Sequence, residues 1–171
     1  MSKRKQYVLG FMFSQDLRTV VLIEKQRPAW QKGKWNGVGG LVEDEVLRDA
    51  MAREFAEETG VKTDPDMWTM FARMKFKDHD VFCFAIRGNP NAARTRTDEK
   101  VEVWHIGLVL DRRHYCFDPK TIGNHQPLMS LILLAEYSLN NSLPAQPFTT
   151  IDYLRMAVVP VKRESFVAVE S

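Results

Sequence analysis

A mixed α/β architecture is the expectation, and three features of the chain carry it. Short runs rich in β-branched and aromatic residues lie on both sides of a helical segment at 45–59. That segment repeats its apolar residues at helical spacing. A second helical run closes the pattern at 127–139. Strands, a helix, more strands and a closing helix fit an α/β layer arrangement better than an all-α or all-β one.

The elements follow in order. Gln6 to Phe13 and Thr19 to Lys25 are β-rich runs around the turn-like Ser14-Gln15-Asp16, which predicts a hairpin. The connection QRPAWQKGKWNG from Gln26 to Gly37 reads as irregular, because Pro28, Gly33 and the Asn36-Gly37 pair break regular structure. Gly37 to Glu43 is a short strand or an extended approach to a helix of about Glu45 to Thr59. Met67 to Lys77 and Asp80 to Gly88 predict a second hairpin, with His79 as an exposed turn residue. Asn89 to Lys100 is a polar loop, and Val101 to Val109 a further strand carrying Trp104. Asp111 to Pro127 reads as a loop. In the helix from Pro127 to Leu139, Leu128, Leu131, Ile132 and Ala135 face inward. Asn140 to Gln146 is a linker, and Thr149 to Val161 adds a final strand or an arm.

Composition narrows the class. A chain of 171 residues predicts one domain with a real core, and 44% apolar with 27% charged residues is ordinary for a globular protein. A net charge of +2 argues against a large non-specific nucleic-acid surface. The longest apolar run, Leu131 to Ala135, falls far short of a membrane span. No apolar stretch follows Lys3-Arg4-Lys5, so a signal peptide is not expected. Cys83 sits between Phe82 and Phe84 and suits a buried thiol, which points to a reducing, cytoplasmic setting.

The chemistry concentrates in GGLVEDEVLRDAMAREFAEETGV, from Gly39 to Val61. A helix stacks Glu54, Glu57 and Glu58 on one side, at i, i+3 and i+4, where like charges repel by a few tenths of a kcal/mol per pair. A divalent cation turns that cost into a gain, and oxygen ligands at this density suit Mg²⁺ or Mn²⁺ rather than zinc. The opposite face is apolar, with Leu47, Met51 and Phe55 beside Val46, Ala50, Ala52 and Ala56. Gly39 and Gly40 let the backbone approach a metal or phosphate closely, and Gly60 suits a helix C-terminus. Carboxylates with a metal favour attack of water on a phosphorus of a pyrophosphate. Lys32, Lys34 and Arg27 stand near enough in sequence to meet an anionic phosphate chain. The four histidines, His79, His105, His114 and His125, lack zinc-ligand spacing.

These residues resemble the Nudix box, G-x5-E-x7-R-E-U-x-E-E-x-G-U, with U a bulky apolar residue. Gly39, Glu45, Arg53, Glu54, Phe55, Glu57, Glu58, Gly60 and Val61 meet every fixed position. The resemblance implies a Nudix-type α/β/α sandwich with a mixed sheet, over roughly Lys5 to Asn140. The expected domain is then 1–142, with 143–171 a C-terminal extension packed on it. It implies Glu54 and Glu58 as main metal ligands, with Glu57 completing the set and the Gly39 carbonyl adding a contact. Glu45 would support the set or position water, and Arg53 would orient a carboxylate through a bidentate pair. Glu54 stands first among the candidate bases. The segment Thr97-Asp98-Glu99 stands where many members draw a further carboxylate, which makes Glu99 a candidate ligand. Mg²⁺ is the expected cofactor, with Mn²⁺ as substitute.

The box does not name the substrate, and the flanking loop points further. Lys34-Trp35-Asn36-Gly37-Val38-Gly39-Gly40 resembles the segment of MutT-like enzymes that hydrolyse oxidised purine nucleoside triphosphates. There an Asn at the Asn36 position reads the purine edge. Lys34, Trp35 and Asn36 are therefore substrate-binding candidates, although Trp35 also suits the core edge and Asn36 a simple Asn-Gly turn. Those relatives often carry acids before the last helix, where this chain has Thr121 to Gln126, so Asn124 is a further candidate there. A (d)NTP leads, ahead of ADP-ribose, NAD-type and dinucleoside polyphosphate substrates. A non-catalytic module that holds a nucleotide or RNA is the reading from another class, and the complete acidic set argues against it. The partner expected is a small nucleotide, with no membrane and no strong nucleic-acid surface, and a homodimer is admitted.

Overall fold

Alternation along the strands builds the molecule into layers. The computed structural model describes residues 4–111, 125–141 and 149–152. Its strands are β1 (Lys5–Phe13), β2 (Thr19–Lys25), β3 (Lys34–Asn36), β4 (Thr69–Lys75), β5 (His79–Arg87), β6 (Lys100–His105) and β7 (Thr149–Asp152). Its helices are α1 (Leu47–Thr59), α2 (Ile106–Leu110) and α3 (His125–Asn140). The strands form one sheet in the order β3-β2-β1-β5-β4-β7, with β6 paired to β2. β1 runs parallel to β5, β4 runs parallel to β7, and the remaining pairs are antiparallel. The sheet is mixed, as the α/β/α expectation requires.

Each strand divides its side chains between two cores, because successive residues point to opposite faces. Leu9, Phe11 and Phe13 of β1, with Val20 and Leu22 of β2, join Leu128, Leu131, Ile132 and Ala135 of α3. Val8 and Met12 of β1, with Val21 and Ile23 of β2, join Ala50, Met51 and Phe55 of α1. One helix therefore lies on each side of the sheet. A register shift between Met70 and Ala72 interrupts the alternation in β4 and sends both Phe71 and Ala72 into the α3-side core.

Several boundaries depart from the sequence expectation. The stretch before the box is not irregular throughout. It holds a 3₁₀ turn at Ala29–Gln31 and the strand β3, whose Lys34 to Asn36 pair with Lys25 to Ile23. Of the two alternatives for 37–43, a short strand or an extended approach, the chain takes the second, tied to β1 by two bridges, Gly10 with Val38 and Tyr7 with Leu41. α1 starts at Leu47 rather than Glu45, and Val46 is 65% exposed, so it does not belong to the apolar face. β6 stops at His105, where the expected strand was to run to Val109. The His105 Nδ1 accepts the Gly107 N–H at 3.1 Å, and Ile106 and Val109 bury one turn apart, so the chain turns helical there. His79 opens β5 instead of sitting in a free turn, stacked on Phe76 with ring centroids 4.5 Å apart. α3 begins at His125, two residues before the expected start. Of the tail, Thr149–Asp152 pairs with β4, and the rest of the expected arm lies outside the described residues.

The acidic helix is anchored by its apolar side. Phe55 is fully buried with its ring 5.2 Å from that of Trp68, edge to face, and Met51 is equally buried. Gly60 ends the helix in the left-handed region at φ 75°, its N–H donating to the Ala56 carbonyl. Phe55→Ala should cost about 3–5 kcal/mol of stability through the cavity it leaves. Chemical denaturation followed by circular dichroism checks this, with the folded-state spectrum retained.

Candidate functional site

The solvent side of α1 carries Arg53, Glu54, Glu57 and Glu58, and the elements around it supply the rest. Arg53 is the centre of a fan of acceptors. Its Nε donates to both Glu45 oxygens at 3.1 and 3.3 Å, and Nη2 donates to Glu45 Oε1 at 2.7 Å. Nη1 donates to Glu54 Oε1 at 2.9 Å and to Glu57 Oε2 at 3.3 Å, while Nη2 also reaches the Leu41 carbonyl at 3.1 Å. Glu45 sits two residues ahead of α1, so the same guanidinium ties the approach segment to the helix. The Arg53 hydrogen bonds hold the Glu45 carboxyl below its usual range.

Glu58 occupies the deeper end of the cluster, with its side chain 14% exposed. Its Oε2 is buried and has no hydrogen-bond partner. Burial pushes its carboxyl up to about 7, with Glu99 and Glu54 adding to the rise while Lys25 and the Gly39 amide oppose it. Burial also raises the Glu54 carboxyl, against the pull of Arg53. Glu57 is 58% exposed and stands at the rim.

The glycines ahead of α1 are required by contact. A Cβ on Gly40 would lie 2.4 Å from the Glu54 carboxylate, and one on Gly39 would lie 2.0 Å from the Val8 carbonyl. The backbone there can pass between β1 and the acids only without side chains.

The loop after β5 brings Glu99 to the same place. The Arg94 and Arg96 N–H groups donate to the Thr59 and Glu58 carbonyls, docking this loop on the C-terminus of α1. Glu99 is then buried and accepts from the Gln26 N–H at 2.8 Å and from Lys25 Nζ at 2.5 Å. Lys25 Nζ also lies 3.8 Å from Glu58 Oε1.

Of the substrate-side candidates, Asn36 shares strand parity with Val38 and Gly40, both on the α1 side of the sheet. Its Oδ1 accepts the Gly37 N–H at 2.9 Å, which leaves its amide hydrogens to donate. Lys34 lies in register with Lys25, and its Nζ stands 5.8 Å over the exposed Trp30 ring. Trp35, a substrate-binding candidate from sequence, is on the opposite face, because neighbouring residues of a strand alternate. It packs on the α3-side core with its ring centroid 5.1 Å from that of Trp104, away from the carboxylates. Asn124 lies outside the described residues. Sequence reasoning missed Lys25, because a lysine ending the apolar run TVVLIEK reads equally well as a solvated strand end.

Among the described residues, no group of three or more His, Cys, Asp or Glu side chains stands close enough together to hold a metal ion as they are placed. Arg53 and Lys25 stand among the acids instead. The donor set still fits a hard divalent ion: every donor is a carboxylate or backbone oxygen, and the buried Glu58 Oε2 lacks a partner. The Cys83 thiol is buried and pushed upward by that burial, so it offers no ligand or nucleophile here. Among the described residues, no helix is long and apolar enough to cross a membrane.

Comparison with known proteins bears on this site. The family model described as NUDIX domain matches residues 3–135. A MutT structure from work on the Aliivibrio salmonicida and Vibrio cholerae proteins superposes with TM-score 0.57 at 21% identity, covering 76% of this chain and 96% of that one. A NUDIX hydrolase from Nitrosomonas europaea gives TM-score 0.57 at 17% identity, covering 89% and 81%. A MutT/nudix family protein from Enterococcus faecalis gives 0.54 at 18% identity, covering 61% and 45%. At these identities the likeness speaks to the fold. No curated protein matches the chain.

The raised Glu58 carboxyl has a consequence for stability. A group that binds its proton more tightly folded than unfolded stabilises the fold at low pH, and that stability is lost as pH rises through the folded value. The metal-free protein should therefore gain stability from Glu58 as pH falls from about 8 toward about 5, with Glu54 acting in the same direction. Thermal unfolding in the presence of chelator, compared between the native protein and Glu58→Gln, checks this. The variant should show a smaller rise in Tm over that window.

Proposed function

Since the chain belongs to the Nudix family and is thereby a hydrolase of pyrophosphate bonds in nucleoside diphosphates linked to a further group X, we propose that it is an Mg²⁺-dependent enzyme converting a (d)NTP to the monophosphate and pyrophosphate. The observation that carries the metal-dependent reading is the buried, unpartnered Glu58 Oε2 beside Glu54 and the Gly39-Gly40 backbone. A site of this kind costs stability unless a cation joins it.

In this proposal Glu54 and Glu58 hold the ion, with Glu57, Glu99 and the Gly39 carbonyl completing the donors. When bound, Mg²⁺ neutralises phosphate charge and lowers the pKa of water. Arg53 fixes the Glu54 carboxylate through Nη1 and keeps Glu45 beside it, so the acids are oriented before substrate arrives. Lys34 faces the anionic chain from β3. Asn36 donates its amide hydrogens to an acceptor on the base while its oxygen keeps the Gly37 N–H. The purine preference rests on the likeness of Lys34 to Gly40 to the MutT-like segment that reads a purine edge.

Glu58→Gln keeps the shape and removes the charge, so turnover at saturating Mg²⁺ should fall by at least about a hundredfold while the fold survives. A near-native rate would sink the metal-hydrolase reading. With a nucleoside triphosphate in ¹⁸O water, the primary products should be a monophosphate and pyrophosphate, and release of inorganic phosphate with a diphosphate would place the cleavage elsewhere.

Base reading is tested at one side chain. Asn36→Ala removes both amide donors without adding a charge that would repel the phosphates of every substrate. It should lower kcat/KM for purine nucleotides by about 1–3 kcal/mol and leave pyrimidine nucleotides nearly unchanged. Equal losses on both classes would mean that Asn36 serves the turn alone.

A further inference from the structure

We infer that Lys25 is a positioning residue whose ammonium takes the cation position between Glu58 and Glu99 in the metal-free protein and is displaced when a divalent ion binds. The inference rests on the metal-dependent reading above and concerns how that site is kept folded and what sets its affinity.

The geometry is that of an internal counter-ion. Lys25 is 14% exposed and ends β2, a strand whose preceding residues Val20 to Ile23 are buried in the core. Its Nζ lies 2.5 Å from Glu99 Oε2 and 3.8 Å from Glu58 Oε1. The two carboxylates come from different elements, one from α1 and one from the loop before β6, and the ammonium stands between them. Glu99 is satisfied without any further cation, since its second oxygen accepts from the Gln26 and Arg27 N–H groups at 2.8 and 3.4 Å. Glu58 is not, since its Oε2 is buried and unpartnered. The arrangement is stable at one carboxylate and incomplete at the other.

Charge balance then favours exchange. Two carboxylates, Glu99 buried and Glu58 largely so, share one ammonium and leave a net negative charge in a poorly solvated place. A divalent ion added with Lys25 still in position would put two cations a few ångströms apart on the same two carboxylates. A divalent ion that displaces the ammonium removes that repulsion and brings the acids more positive charge than the ammonium did. The long lysine stem lets Nζ move toward solvent without moving β2. Lys25 therefore competes with the metal for Glu58 Oε1 and Glu99 Oε2, and holds the two carboxylates together until the metal arrives.

Mn²⁺ binding to the full chain, read from the free-ion EPR signal, tests this without any turnover measurement. Lys25→Met should tighten Mn²⁺ binding by roughly tenfold, because it removes the competing cation. It should also lower the Tm of the metal-free protein and enlarge the rise in Tm that Mn²⁺ produces. Lys25→Arg keeps the charge and should stay much nearer the native affinity. Unchanged or weaker binding in Lys25→Met overturns the inference, since a purely structural counter-ion would lower stability and leave affinity alone. If Lys25→Met does not fold, ¹⁵N NMR of the lysine ammonium groups in the native protein decides. The Lys25 signal, assigned by its loss in Lys25→Arg, should change on saturation with Mg²⁺, and its persistence unchanged overturns the inference. Absence of Mn²⁺ binding by the native protein would instead overturn the metal-dependent reading itself.

Discussion

The guanidinium of Arg53 is the interaction on which the rest of this site depends. One planar group reaches Glu45, Glu54, Glu57 and the Leu41 carbonyl at once. Three of those acceptors are acids that would repel one another on a short stretch of chain. Arg53 turns the repulsion into a lattice, and it does so with a fixed fork that lysine could not reproduce. Because Glu45 and Leu41 precede α1, the lattice also sets where the helix starts and how the glycine segment enters it.

That lattice would have no fixed place without the two-sided sheet. α1 is held by Met51 and Phe55 against the residues of β1 and β2 that point its way, and α3 is held by the alternate residues of the same strands. The acidic face of α1 is therefore turned toward the loops that follow β2 and β5. The Gln26 and Arg27 amides and the Thr97 to Glu99 turn meet there, and the loop docking on the last carbonyls of α1 brings Glu99 within reach of Lys25. Packing on one side of the helix thus positions chemistry on the other.

The site carries its charge in two differently solved halves. Around Arg53, acids are paired and partly open to water. Around Lys25, two carboxylates share one ammonium, and one oxygen of Glu58 is left over. The Arg53 end is therefore the better satisfied of the two, and the unpartnered oxygen lies at the Lys25 end. The stability given up there is the ordinary cost of a functional cluster inside a small domain.

Local spacing is what the sequence by itself determined. The i, i+3, i+4 placement of Glu54, Glu57 and Glu58 depends only on helix geometry, and the alternation in the early strands depends only on the pleat. Both were legible residue by residue. So was the family, because its motif lies within one continuous stretch. Tertiary structure alone decided what meets across long separations. β1 pairs in parallel with β5, and the strand β3 forms inside a stretch whose Pro and Gly residues read as irregular, because β2 offers it an edge. At 106–110 the choice of helix over strand rested on burial of Ile106 and Val109 in the α3-side core, which apolar pattern over so few residues does not reveal. Lys25 is the clearest case. Its partner Glu99 stands 74 residues away, and nothing in the run TVVLIEK distinguishes a solvated strand end from a buried counter-ion. An ion pair is set by where two distant backbones pass, and only the folded chain fixes that distance.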